Sequence, residues 1–150
     1  MTDHSLPTIS EQLWWVLPNY LAGVRKPTAQ ELAALKDAGI SALVSLLSDN
    51  SNLDLYTQNN IPHVWMPIIG GTAPSLTQLE AIATFVETQN QLGNAVAIHC
   101  SSGRRRTGTV LAALLIQQGN SYEKALDVVF TANPAIELRD AQITFLKSLS

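Results

Sequence analysis

Residues 95–108 read Ala-Val-Ala-Ile-His-Cys-Ser-Ser-Gly-Arg-Arg-Arg-Thr-Gly, and Val-Leu-Ala-Ala-Leu-Leu-Ile follows at 110–116. The apolar run closed by His99 predicts a short buried strand over 95–99. The second run predicts a helix over 106–118, ended by Gly119. Between them lies a polar loop with Cys100 at its start and Arg106 at its end. A buried strand that feeds a helix through a loop is the unit of a mostly parallel sheet, and such sheets place ligands at the carboxyl ends of their strands.

The loop has the residues to hold an anion. Backbone N–H groups from Ser101 through Ser102, Gly103, Arg104 and Arg105 to Arg106 can curl into a nest that converges on one charge. The following helix adds the positive end of its dipole. Gly103 permits positive φ or a close backbone approach. Arg106 offers a planar fork for two phosphate oxygens. That field favours the thiolate form of Cys100, and a thiolate facing a cradled phosphorus is placed for in-line attack. Thr107 puts a hydroxyl near the sulfur, where it can ease the sulfur's departure in a second step. His99 is expected to be buried and bonded to backbone, orienting the loop and carrying no proton. Cys-x5-Arg alone matches by chance, and what is specific is its combination with the strand, the His, the Gly, the Thr-Gly pair and the helix.

Working outward, strands and helices alternate. Trp14-Trp-Val16 before Pro18 predicts an edge strand or a stretch packed on the core. Thr28-Ala-Gln-Glu31 is a capping box that opens a helix ended by Gly39, and 40–47 reads as a buried strand. A short helix is expected around 53–58 and a strand over His63–Met66, stopped by Pro67. Residues 68–73 form a Gly-Gly loop, and Ser75-Leu-Thr-Gln78 is a second capping box opening a helix. Ser121 begins a helix to about 132, Pro134 interrupts, and a last helix is expected over 138–149. The pattern predicts one α/β domain over 1–150, with a mostly parallel central sheet flanked by helices.

Composition narrows the function. The chain has 150 residues, nine Lys plus Arg and twelve Asp plus Glu, for a formal charge of −3, which disfavours nucleic acid as a partner. Yet Arg104, Arg105 and Arg106 are consecutive, and residues 88–122 contain no Asp or Glu, so positive charge is concentrated at one segment. A single cysteine excludes an internal disulfide framework and a cysteine-built zinc site. The longest apolar run, seven residues, is far short of the roughly 20 needed to cross a bilayer, so no stable membrane insertion is expected. The start of the chain lacks a basic region followed by an apolar one, and a cytoplasmic location is expected.

The segment His99–Gly108 resembles the signature of the cysteine-dependent dual-specificity phosphatases, a compact, atypical branch of the protein tyrosine phosphatase superfamily. Leu21-Ala-Gly23 with Pro27, the run from Gly39 to Leu47, Ala73-Pro-Ser75, and Pro134-Ala-Ile-Glu137 followed by Gln142 resemble the family's further landmarks in its order. The resemblance implies that fold, with Cys100 as nucleophile, a phosphocysteine intermediate, phosphate bound by Arg106, hydrolysis assisted by Thr107, and neither metal nor cofactor. It implies a phosphorylated substrate: a phosphoprotein, a phosphoinositide or a small phosphate ester. Relatives acting on lipid headgroups carry extra basic residues in this loop, so Arg104 and Arg105 either contact further phosphates or project into solvent.

One position departs from the family. The Asp that protonates the leaving oxygen is expected four residues before Pro74, where this chain has Gly70, and 68–73 contains no acid. General acid catalysis is worth roughly 10²–10⁴-fold. Asp49, Asp54 and His63 are weak substitutes, each more simply read as a solvated or capping carboxylate or a strand-edge His. Leaving groups protonated by water are a further possibility. Two other readings stand beside the phosphomonoesterase: a phosphate-binding pseudo-phosphatase, and a rhodanese-like sulfur carrier, which Arg106-Thr-Gly disfavours.

Overall fold

In the computed structural model, which describes residues 8–149, five strands form one sheet. In chain order the elements are β1 (Trp14–Leu17), β2 (Leu21–Arg25), α1 (Leu32–Asp37), β3 (Ile40–Ser45), α2 (Leu53–Gln58), β4 (His63–Trp65), α3 (Leu76–Gln91), β5 (Ala95–Cys100), α4 (Arg106–Gln117), α5 (Tyr122–Ala132) and α6 (Asp140–Leu149). The sheet order is β1-β2-β5-β3-β4, with β5 central and parallel to both neighbours. β4 continues the parallel set beside β3, and β1 closes the far edge antiparallel to β2. Four carboxyl ends therefore point to one side of the molecule, where α4 begins.

Alternation along the strands builds two cores. Val96, Ile98 and Cys100 of β5 face one side with Val44 and Leu21, under α3, α4, α5 and α6. Ala95 and Ala97 face the other with Val24 and Leu43, under α1 and Tyr56 of α2. Residues 107–116 of α4 are all buried, because this helix sits between the sheet and its neighbours α3, α5 and α6. No helix among the described residues is long and apolar enough to cross a membrane.

Both capping boxes form, but the first opens differently from expectation. Thr28 N donates to Glu31 Oε1 at 2.9 Å over a 3₁₀ turn, Ala29–Glu31, which runs into α1. Ser75 and Gln78 exchange bonds of 3.0 Å at the start of α3. The strand expected over 40–47 ends at Ser45 and that over 63–66 at Trp65. The last helix starts at Asp140, two residues later than expected, because the chain after Pro134 stays irregular.

β2 has no counterpart among the expected strands, since Leu-Ala-Gly-Val-Arg carries little β signal. Its reason lies in packing. A Cβ on Gly23 would lie 2.4 Å from the Trp14 ring and 2.9 Å from Leu111, so the strand slides under Trp14 only without a side chain there. This makes β1 the edge strand, its Trp14 paired with Gly23.

Candidate active site

β5 carries Cys100 as its last residue, and the polypeptide turns back within five residues to start α4 at Arg106. Gly103 makes the turn possible. Its φ is +74°, and a Cβ there would lie 2.8 Å from the carbonyl carbon and oxygen of Val24. The loop is thus seated on the end of β2, where Lys26 N also donates to the Ser101 carbonyl at 3.2 Å.

Cys100 is 2% exposed and forms the floor of a cavity of about 600 Å³. Thr107, one residue into α4 and fully buried, donates its hydroxyl to Cys100 Sγ at 3.1 Å. The Arg106 guanidinium is braced across the cavity wall. Its Nη1 donates to the Ile68 carbonyl at 2.9 Å and more weakly to that of Leu46, and Nη2 reaches Ser101 Oγ at 3.4 Å. Its fork therefore lies in place before any anion arrives.

His99 points to the opposite face of the sheet and is fully buried. Its Nε2 lies 2.9 Å from Tyr56 Oη. Asn52 Nδ2 donates to the Pro27 carbonyl at 2.9 Å, which fixes the amide's orientation, and also to Tyr56 Oη at 3.0 Å. The Tyr56 hydroxyl thus bridges the Asn52 amide and the His99 ring. Burial pushes His99 down to about 4, with the adjacent Cys100 backbone partly offsetting it, so the ring is neutral near pH 7. Nδ1 itself has no hydrogen-bond partner among the described residues. The side-chain partner of the buried ring is thus Tyr56, itself held by Asn52.

A thiol at the end of a central parallel strand, capped by a glycine-turned loop and a helix N-terminus, is an arrangement that can hold an anion over a nucleophile. Residues 20–120 match a family model described as "Tc-R-P: Polymorphic toxin system, DSP-PTPase phosphatase". The chain belongs to this family of DSP-PTPase phosphatases. It is 36% identical over 75 residues to the rat (Rattus norvegicus) phosphatidylglycerophosphatase and protein-tyrosine phosphatase 1, covering 49% of this chain and 39% of that one. It is 24% identical over 147 residues to the phosphatidylglycerophosphate phosphatase PTPMT2 of Arabidopsis thaliana, covering 94% and 64%. The chain therefore spans less than two thirds of the length of either relative. Among solved structures, the crystal structure of Tk-PTP in the active form superposes with a TM-score of 0.84 at 30% identity, over 92% of this chain and 95% of that one.

Within this DSP-PTPase domain the three arginines part company. Arg105 and Arg106 line the cavity above Cys100, as does Ser102. Arg104 turns into a separate recess beside Arg25 and Trp14. Glu137 lies between the two extra guanidiniums, 3.8 Å from Arg104 and 3.4 Å from Arg105. Arg104 stays exposed beside Glu137, whereas Arg105 Nε is buried with no partner among the described residues.

The three substitute acids fall outside the cavity lining. Asp49 is exposed, accepts from Ser51 N at 2.9 Å, and is held below the usual carboxylate range by Ser51, with Lys26 and Arg106 adding to the effect. Asp54 is exposed in the first turn of α2. His63 opens β4, with Nδ1 2.8 Å from the Ile61 carbonyl and its ring edge-on to Tyr56. Gly70 does line the cavity, and nothing lies within 4 Å of where its Cβ would be.

Two lining residues, Arg139 and Asp140, escape sequence reasoning. They enter at the start of α6, which Gln142 straps to the 68–73 loop. Its Nε2 donates to the Thr72 carbonyl at 3.1 Å and its Oε1 accepts from Arg139 N at 2.9 Å. The signal was present in Pro134–Glu137 and Gln142, but which neighbours face the cavity depends on how α6 docks.

Proposed function

We propose that the protein is a phosphomonoester hydrolase of the tyrosine or dual-specificity type that works through a phosphocysteine intermediate. The observation that carries this reading is the 3.1 Å contact from Thr107 to Cys100 Sγ at the floor of a cavity walled by the Arg106 guanidinium. A buried inert thiol needs neither. Backbone amides of 101–106 and the Arg106 fork hold the phosphoryl oxygens, and Sγ attacks phosphorus in line with the ester oxygen. The S–P bond forms as the P–O bond breaks. Water then attacks the phosphocysteine, and the Thr107 hydroxyl stabilises the departing thiolate. His99, fixed by Tyr56 and Asn52, positions the strand end that presents Cys100. No step calls on a metal or cofactor.

The substrate is a phosphorylated one, whether phosphoprotein, phosphoinositide or small ester. An anionic headgroup is supported by Arg105 and Arg139 in the same cavity, and by two relatives whose names give phosphatidylglycerophosphate as their substrate. A working thiol requires a reducing compartment, which supports a cytoplasmic location. A second reading, a phosphate-binding pseudo-phosphatase, is favoured by Gly70. Turnover of p-nitrophenyl phosphate, abolished in Cys100→Ser, separates them. A native protein that binds inorganic phosphate but turns over no ester overturns the hydrolase.

A further inference from the structure

We propose that Asp140 is the general acid of the reaction, supplied from the start of α6 to the space that Gly70 leaves open. The inference rests on the hydrolase reading above. A phosphomonoesterase that releases anything more basic than a nitrophenolate gains greatly from protonating it, yet the loop over the cavity has no acid. Among the described residues lining the cavity, Asp140 is the one carboxylate.

The placement is built. Gln142 ties α6 to the Thr72 carbonyl, and the Arg139 side chain lies 3.9 Å from where a Cβ on Gly71 would stand. The start of α6 thus lines one cavity together with Gly70, Gly71 and Cys100. Gly70 lines the same cavity, and apart from its chain neighbours nothing lies within 4 Å of a Cβ built there, so that part of the rim carries no side chain of its own.

Asp140 is also unengaged. Glu31 is paired with Arg25, Glu137 with Arg104 and Arg105, and Asp49 with the Ser51 backbone. The Asp140 carboxylate makes no hydrogen bond or ion pair with any described residue, although Arg139 is its chain neighbour. The charged groups facing it are Arg139 on its own element and Arg105 and Arg106 from the loop and α4, with the Cys100 thiol below. The 68–73 loop contributes no charge.

The steps balance. As Cys100 Sγ bonds to phosphorus, the P–O bond to the leaving group breaks with its electron pair, and the Asp140 carboxyl proton passes to that oxygen to give the free alcohol or phenol. In the second step the Asp140 carboxylate takes a proton from water. The water oxygen bonds to phosphorus, the S–P bond breaks, and inorganic phosphate leaves with the thiolate restored.

The test compares native protein with Asp140→Asn on p-nitrophenyl phosphate and phenyl phosphate, with kcat followed across pH. In Asp140→Asn, kcat on phenyl phosphate should fall about 100-fold or more and that on p-nitrophenyl phosphate several-fold less. The basic limb of the profile should disappear while thermal unfolding stays native. Gly70→Asp in the Asp140→Asn background should return phenyl phosphate turnover, since a side chain at 70 meets no neighbour. Native leaving-group dependence and an intact basic limb in Asp140→Asn overturn the acid assignment alone. Absence of turnover of either ester by the native chain overturns the acid together with the hydrolase.

Discussion

Replacing Gly103 with alanine should separate the fold of this domain from the seating of its loop. At φ +74° an L-residue carries a penalty of about 1–2 kcal/mol. The new Cβ would also stand 2.8 Å from the Val24 carbonyl carbon and oxygen and 2.9 Å from Arg25 N. Ordinary contact is about 3.5–4.0 Å, so roughly 0.7–1 Å must be found. β2 cannot supply it, because it is bonded between β1 and β5. The loop must lift instead, straining the Lys26–Ser101 bond and carrying the 101–106 amides away from Cys100. With about 1–3 kcal/mol of overpacking, partly relieved by that movement, the net loss of stability should be about 2–4 kcal/mol. For a domain of this size that is a fall in Tm of about 5–15 °C. A displacement near 1 Å costs about 100-fold in activity, so kcat/KM on p-nitrophenyl phosphate should drop by that order, with weaker inhibition by inorganic phosphate. Calorimetry and steady-state kinetics on one preparation measure both. An alanine variant with native Tm and native kcat/KM would refute the seating of the loop on β2.

Three further outcomes are expected. Tyr56→Phe removes the hydroxyl between Asn52 and His99, leaves a buried ring nitrogen without its partner, and should cost about 1–3 kcal/mol in denaturant unfolding. Thr107→Val keeps the shape but loses the bond to Sγ. If Thr107 serves the second step, the variant should retain a burst of nitrophenol and lose roughly 10- to 100-fold in steady-state turnover, with phosphocysteine accumulating for mass spectrometry. Glu31 is lowered from 4.5 to about 2, mainly by its hydrogen bonds from Arg25. A depressed carboxyl contributes stability that is complete above its unfolded value and lost as pH falls through the folded one. Glu31→Gln should therefore flatten the fall in Tm between about pH 4.5 and 2, and an unchanged acid limb would count against the pair.

Local chemistry explains which elements were readable. The capping boxes at Thr28 and Ser75, and the apolar runs at 40–47 and 95–99, each declare themselves within a few residues, because N-capping and a short continuous apolar run are local features. β2 did not, since Gly23 is there for the Trp14 ring that crosses it, a contact between strands. The tie of Tyr56 to His99 spans 43 residues and joins α2 to the face of β5 that it covers, so the helix signal around 53–58 carried no hint of it.

By itself the sequence determined the strand–loop–helix unit at 95–118 and the glycine its turn requires. It also determined the concentration of positive charge and the family, each of which depends on residues adjacent in the chain. Tertiary structure alone decided the separation of Arg104 from Arg105, the Tyr56 bond to His99, and the arrival of Arg139 and Asp140 at the cavity that Cys100 lines. These depend on how α6 and α2 dock on the sheet. Docking is set by buried faces, while the side chains that reach the cavity lie on the faces left over, where no periodicity marks them.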